Sequence, residues 1–471
     1  MNPAISKNIS RVWVFEESHG GMKTKHMNPQ GFLWILFIPL VIGVLGSLPA
    51  NGQVMSSDKL FGTYTDYSYA NHSIEDSTHT PLQPIIDNAE PGDTIILEPK
   101  IYQGPINIET DKIVLDGQGK ATICGNKKGS VIYLMADSVS IQNCMIEHSG
   151  GSHDKIDAGV KIKGDFNIVE NCRIKECLFG VDIFKCDSNL IVHNEISSLT
   201  RRQKALKGDA IRLWWAKKNI IRGNYWHDVR DMVVWYSEQN LFEDNKGVGN
   251  RYSIHFMYAH NNRIHGNEFY KNSVGVFLMY SERTIMTHNT IMASQGVSGM
   301  CLGLKETSSN QILHNRFIYS AEGIHFDVSP YVPEKQNTIA HNEIAFCGSG
   351  MFFHTNQEGN VITNNYFHDN LTQVTAQGKT ARWNKWKNNY FDDYQGLDRD
   401  NDNIGDTPYR LYNYVEHLWD FNEDVKFFYG APFLVLLNFL EKLAPFSDPK
   451  FVLKDEEPIY NWEEYSEEFV Y

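Results

Sequence analysis

A chain of 471 residues, 42% of them hydrophobic, has material for a large core, whether divided among several ordinary domains or wound into one elongated repeat domain. Its 57 acidic and 43 basic residues leave a net charge of −14, which excludes the concentrated basic surface that a nucleic-acid partner requires and points to protein or metal instead. Seven cysteines, an odd number with no CxxC pair of the zinc type, predict no dense disulfide framework.

Lys23, Lys25 and His26 stand ahead of an apolar run, 32–48, interrupted only by glycines, Pro39 and Ser47. That is the pattern of an export signal, and Ala50 and Gly52 are the small residues expected before a cut ahead of Gln53. Residues 1–21 add nothing to it, so Met22 or Met27 suits the start of a signal better than Met1. The predicted organisation is an extension and signal peptide at 1–52, a linker at 53–80, a repeat domain at 81–392, an acidic loop at 393–410 and a C-terminal segment at 411–471.

The segment 81–89 predicts a helical cap, and 92–97, 102–108 and 113–117 read as the first coils beneath it. From residue 138 a phrase recurs: an aliphatic residue, two or three variable positions, Asn, one variable position, then Ile, Phe or Trp. Its Asn falls at 194, 224, 245, 267, 289, 315, 342, 365 and 389, with Cys144 and Cys172 in the same column upstream. Steps between 21 and 30 residues signal a solenoid. Stacked Asn amides satisfy the buried backbone groups of a corner at the ~4.8 Å strand spacing. The predicted fold is all-β: a right-handed parallel β-helix with an Asn ladder, a helical N-terminal cap and a short C-terminal helix.

Ahead of each phrase lies a second strand opened by Gly, as at Gly275, Gly299, Gly323 and Gly350. Strand alternation sends the first and third residues after Gly inward and the second and fourth outward. The predicted outer stripe is Arg212 and Trp214, Val234 and Tyr236, His255 and Met257, Phe277 and Met279, Cys301 and Gly303, His325 and Asp327, Phe352 and His354. Imidazole, thioether and thiolate suit Cu(I), which makes His255, Met257, Met279, Cys301, His325 and His354 candidate copper ligands. The alternative is a protein-docking face built on Trp214, Tyr236, Phe277 and Phe352. His193, His288, His314 and His341 each precede a ladder Asn and read as exposed polar residues at the corner.

Asp398, Asp400, Asp402 and Asp406 with Gly405 resemble part of a calcium loop and read equally as a solvated turn, with a structural role either way. Further on, 432–443 predicts a short apolar helix opened by Pro432, too short to cross a bilayer. It reads either as a cap on the solenoid end or as an attachment to a membrane protein, for which Phe433, Leu437 and Leu440 are the docking candidates.

The coils together with 389–409, including Gly405-Asp406-Thr407-Pro408-Tyr409, and the ending 440–449 resemble the NosD-type nitrous oxide reductase maturation proteins over roughly 81–460. The resemblance implies a periplasmic accessory factor without catalysis of its own. It would sit peripherally at the inner membrane with an ABC transporter, a copper chaperone and the apo-reductase as partners, copper being handled only in passing. No GxxxxGK[ST] loop occurs, so ATP use falls to the transporter. The rival reading is an extracellular carbohydrate-active lyase, epimerase or hydrolase, for which Asp182, Asp209, Arg212, Asp228, Arg230 and Asp231 form the one tempting cluster.

Overall fold

The structure, a computed structural model, describes residues 79–296, 298–356, 358–377, 381–413, 431–443 and 449–462. The expected signal peptide, and all but the last two residues of the expected linker, lie outside the described residues.

Short strands of mostly three to six residues wind into three parallel sheets, each coil giving one strand to each. Sheet I has 14 strands, from Thr80–Pro81 to Tyr390–Phe391; sheet II has 12, from Ile106–Ile108 to Thr372–Ala376; sheet III has 13, from Thr94–Ile96 to Lys385–Lys387. The chain passes from I to II to III and back to I, which is the expected parallel β-helix. Strand alternation fills the interior with Ile, Val, Leu and Phe, most of them fully buried. Toward the C-terminal end the rings stack, with Phe326 on Phe353 at 4.4 Å and Phe367 on Phe391 at 5.0 Å.

The corner from sheet III to sheet I is the expected Asn ladder. Each Oδ1 accepts both the backbone N–H and the Nδ2–H of the Asn one coil earlier, as Asn245 and Asn267 show at 2.9 Å for both bonds. Each Nδ2 also donates to a carbonyl of the preceding coil, such as Phe242 O from Asn267 at 3.0 Å. The chain of amides runs unbroken from Asn194 to Asn389, and Cys172 starts it by donating its amide to Asn194 Oδ1. All seven cysteines are buried thiols outside any disulfide.

A second ladder, absent from the sequence reading, turns the corner from sheet II to sheet III. It comprises Asn167, Asn189, Asn219, Asn240 and Asn262, then Asn310, Asn337, Asn360 and Asn384, with Thr284 at the break. At the third corner Asn250, Asn272, Ser320 and Asn370 do the same work piecemeal.

Both ends of the solenoid are closed. At the first, helix α1 (Gln83–Asp87) puts Leu82 and Ile86 into the core, while the Gln83 amide both donates to and accepts from the Asn107 backbone. At the other, the strand Lys450–Asp455 pairs antiparallel with Tyr409–Asn413 and brings Asp455 under the last rung. There its buried carboxylate accepts the Asn389 N–H at 3.0 Å and Nδ2–H at 2.8 Å, and burial pushes its pKa above the usual carboxylate range. The predicted C-terminal segment therefore includes the lid of the ladder.

Asp455→Ala leaves two buried donors of Asn389 without an acceptor and is expected to cost roughly 2–4 kcal/mol. Asp455→Asn keeps an acceptor like that of every other rung and is expected to cost less than about 1.5 kcal/mol. Denaturant unfolding of both variants measures the difference.

Candidate functional site: the outer face of sheet II

Parallel register makes the outer face of sheet II a grid. Across successive coils one column reads Arg212, Val233, His255, Phe277, Gly303, His325, Phe352 and Thr375. The next reads Trp214, Trp235, Met257, Met279, Lys305 and Asp327, with His354 just past the final strand. His255, Met257, Phe277, Met279, His325 and Phe352 thus lie on the predicted face.

Three expectations are corrected. Cys301 faces inward and is fully buried. Gly303 and not Cys301 is the register partner of Phe277, and after the outward Met300 two successive residues, Cys301 and Leu302, both turn into the core, which breaks the strict alternation. The Cys301 thiol donates to Ile291 O at 3.3 Å and burial drives its pKa well up, the opposite of a ready thiolate ligand. Val234 is likewise internal, and Trp235 takes the outer place expected for Tyr236, because a register shift between Asp231 and Val233 moves the alternation by one residue. Tyr236 instead stands past the strand end in a second row, stacked between Trp215 at 4.8 Å and Tyr258 at 5.4 Å.

The copper candidates do not converge. Met257 and Met279 are register partners on adjacent coils. On the next coil their column is occupied by Lys305, whose ammonium pairs with Asp327 at 2.6 Å. His325 lies two coils beyond Met279, roughly 10 Å away at the strand spacing, and its Nδ1 is engaged by Glu322 at 2.6 Å. His354 holds Gln377 through Nδ1 at 2.8 Å. Among the described residues, the only place where three His, Cys, Asp or Glu ligand atoms gather is Asp398, Asp400 and Asp402. The face offers a two-thioether contact, not a closed cage.

His255 is sealed. Its ring stacks on Tyr252 at 4.9 Å and meets Trp235 edge-on at 5.8 Å, and neither nitrogen reaches water or a hydrogen-bond partner. Burial lowers its pKa to about 4, so it is a neutral aromatic filler at neutral pH. Gly303 stays bare for a steric reason: a Cβ there would stand 2.1 Å from the Phe277 ring and 2.9 Å from Met300 Sδ, which also places the Met300 thioether on this face.

Toward the N-terminal coils the tempting acids prove to be the buried halves of ion pairs. Arg212 donates to Asp182 at 2.7 Å, Arg230 grips Asp209 through both oxygens at 2.9–3.1 Å, and Arg251 holds Asp231. Burial pushes Asp209 up to about 7 against the pull of Arg230. Asp228 lies apart from these and accepts from His227 at 3.1 Å. Arg212 also covers the Trp214 ring at 4.3 Å, so this end of the face presents guanidinium and indole to solvent.

In the acidic loop, the Asp398, Asp400 and Asp402 oxygens lie within 4.8 Å of one another, and Asp402 raises the pKa of Asp400 by repulsion. Asp406 does not join them: its Oδ2 accepts the Arg399 N–H at 3.0 Å. The loop is pinned to the C-terminal lid by Asn403, which exchanges hydrogen bonds with the Asn461 backbone at 2.7–2.8 Å. Helix α2 (Pro432–Leu443) forms as expected, with Phe433, Leu436, Phe439 and Leu440 exposed and Leu437 half-buried.

The His255 environment predicts a pH effect. Unfolded His titrates near 6.5 and folded His255 near 4, so between these values the unfolded chain binds more protons and the fold loses stability as pH falls. The full loss is about 3 kcal/mol. His255→Phe is expected to abolish that component, so its stability relative to wild type rises between pH 7.5 and 4.5 in denaturant unfolding.

A family model described as "Periplasmic copper-binding protein (NosD)" matches residues 192–396, the coils that carry most of this face. Two proteins named "Probable ABC transporter binding protein NosD", from Stutzerimonas stutzeri and Pseudomonas aeruginosa, are each 30% identical over 111 residues. That stretch is 23% of this chain and 26% of each relative, so the match spans about a quarter of the relatives' length. Among solved structures, the A-module of Azotobacter vinelandii mannuronan C-5 epimerase AlgE6 superposes with a TM-score of 0.51 at 12% identity, covering 63% of this chain and 92% of the module. At that identity the likeness concerns the fold alone. The family match and the coil geometry coincide: residues 192–396, which are similar to the NosD family model, are successive coils of the parallel β-helix.

Proposed function

We propose that this chain is an exported, non-catalytic accessory factor in the maturation of nitrous oxide reductase, assisting assembly of the copper–sulfur centre in the periplasm. Its partners in this reading are an inner-membrane ABC transporter, which holds it peripherally at the membrane, a copper chaperone and the apo-reductase. The observation that carries the proposal is the coincidence of the NosD match with an outer face rich in aromatic and thioether side chains: Trp214, Trp235, Met257, Phe277, Met279 and Phe352. Aromatic and Met side chains are enriched in protein interfaces, and a flat parallel sheet offers them without the cost of ordering a loop. Docking of the apo-reductase is therefore the first task of this face, and contact with copper cargo falls to the Met257–Met279 pair. The exposed apolar residues of α2 supply the attachment to the transporter, in keeping with the name of the two relatives. We assign the Asp398–Asp402 loop a structural calcium ion that relieves its crowded carboxylates.

Capture from membranes of cells expressing transporter and apo-reductase tests the proposal. Wild type is expected to retain both. Trp214→Ala with Trp235→Ala loses the reductase, and Phe433→Ser with Leu440→Ser loses the transporter; retention of both partners by both variants overturns the assignment. For the cargo contact, Cu(I) affinity measured against a chromophoric chelator is expected to fall by about tenfold or more in Met257→Ala with Met279→Ala. Calcium is expected to raise the thermal unfolding temperature of wild type, and Asp398→Asn with Asp402→Asn removes that gain.

A further inference from the structure

The corner from sheet III to sheet I carries a second regularity besides its Asn ladder. The residue before each position of the ladder column, Cys144 and Cys172 included, takes a left-handed conformation, and on most coils it is Asn, Gly or Asp: Asn143, Asn171, Gly223, Asp244, Gly266, Asn364 and Asn388. On three consecutive coils it is histidine, namely His288, His314 and His341, with φ of 58°, 55° and 55°. Histidine tolerates this conformation better than most side chains, which accounts for any one of them. It does not account for three in succession with ordered rings.

The rings form a stack. His288 and His314 lie 5.3 Å apart with planes 16° from parallel, and His314 and His341 lie 4.9 Å apart at 13°. A fourth ring, His265, stands 5.2 Å from His288, edge-on, with Nδ1 against the Thr287 hydroxyl at 2.9 Å. The backbone beneath is fixed: His288 N–H donates to His314 O at 3.1 Å, His314 N–H to Ala340 O at 3.2 Å, and the following residues Asn289, Asn315 and Asn342 are buried rungs of the ladder. The rings themselves are at the surface, His288 exposed and the other two half-buried. This corner does not border sheet II.

We propose that His288, His314 and His341 form a chelating array for one borderline divalent cation such as Zn²⁺, held by His314 together with one neighbouring ring at a time. Neutral imidazole is a preferred donor for such ions. Nitrogen–metal bonds of about 2.0–2.1 Å place two bound nitrogens about 3–4 Å apart, so an ion between two adjacent rings spaced at 4.9–5.3 Å needs only a small approach of their nitrogens while the ladder holds the backbone. Water or His265 completes the coordination. The central ring can pair with either neighbour, whereas each outer ring of the trio has one partner within it. The array stands independently of the reductase-maturation reading, which concerns another face.

The test is isothermal titration of the untagged full chain with Zn²⁺ at pH 7.5, where imidazole is largely neutral. One ion per chain is expected, and the position of each histidine dictates the variant pattern. His314→Gln is expected to weaken binding by at least about tenfold, and His288→Gln or His341→Gln by less. His193→Gln is the control, since His193 occupies the same corner position with Gly223 and not histidine on the next coil, and it is expected to bind like wild type. Absence of binding by wild type, or a His314→Gln variant indistinguishable from His193→Gln, overturns the proposal.

Discussion

The whole structure depends on one hydrogen-bonding arrangement, the side-chain amide that accepts two donors from the coil before it and donates to the coil after it. A parallel coil must turn three times in some twenty-odd residues, and each turn drives backbone N–H and C=O groups into the interior where water cannot reach them. Left unpaired, each costs about 1–3 kcal/mol. Asn carries a donor and an acceptor on a stem short enough to point inward at the turn, so a single residue type answers both demands at every level. Because each rung bonds the next, register is locked: a coil cannot slide by one residue without breaking its amide out of the chain, and this rigidity makes distant residues line up in columns.

Columns are what give the surface its chemistry. On sheet II they set Met257 beside Met279 and Trp214 beside Trp235, and on the opposite corner they set three imidazoles in a stack. The same rigidity limits what sheet II can do with metal. Ligands two coils apart on a fixed grid start about 10 Å from each other, and Lys305 and Asp327 occupy the intervening places beyond Met279. His255 shows the point from the other side, since a histidine central to the stripe is walled in by Tyr252, Trp235 and Phe277 and contributes ring area only. A surface of this kind recognises shape and apolar area more readily than it cages an ion.

Much of this was legible in the chain itself, for a reason the ladders make plain. The Asn column had to recur with aliphatic neighbours, so the coil, the capping helix at Gln83–Asp87, the buried Cys144 and Cys172, and the inner partners of each strand could all be read from spacing. The second ladder was equally available, because its Asn precedes the first by five residues on nearly every coil, as in Asn219 and Asn224, Asn240 and Asn245, or Asn337 and Asn342. What spacing could not carry was parity. Alternation counted from Gly299 sent Cys301 outward, whereas Cys301 and Leu302 both turn into the core after an outward Met300; the register shift after Asp231 traded Tyr236 for Trp235. Lid residue Asp455 stands 66 positions from the rung it completes, and no local pattern announces that pairing.

The buried acids bear on what the outer face of sheet II offers in a fold also found in a mannuronan epimerase module. A general acid or base has to meet its substrate, yet Asp182, Asp209 and Asp231 lie beneath Arg212, Arg230 and Arg251, which occupy their oxygens and stand between them and solvent. Even Asp209, whose pKa of about 7 suits proton transfer, spends its lone pairs on one guanidinium. Each pair turns a buried charge into a neutral unit and lifts a flat cation to the surface beside an indole. At these positions the outer face of sheet II therefore shows guanidinium and indole in place of accessible carboxylates.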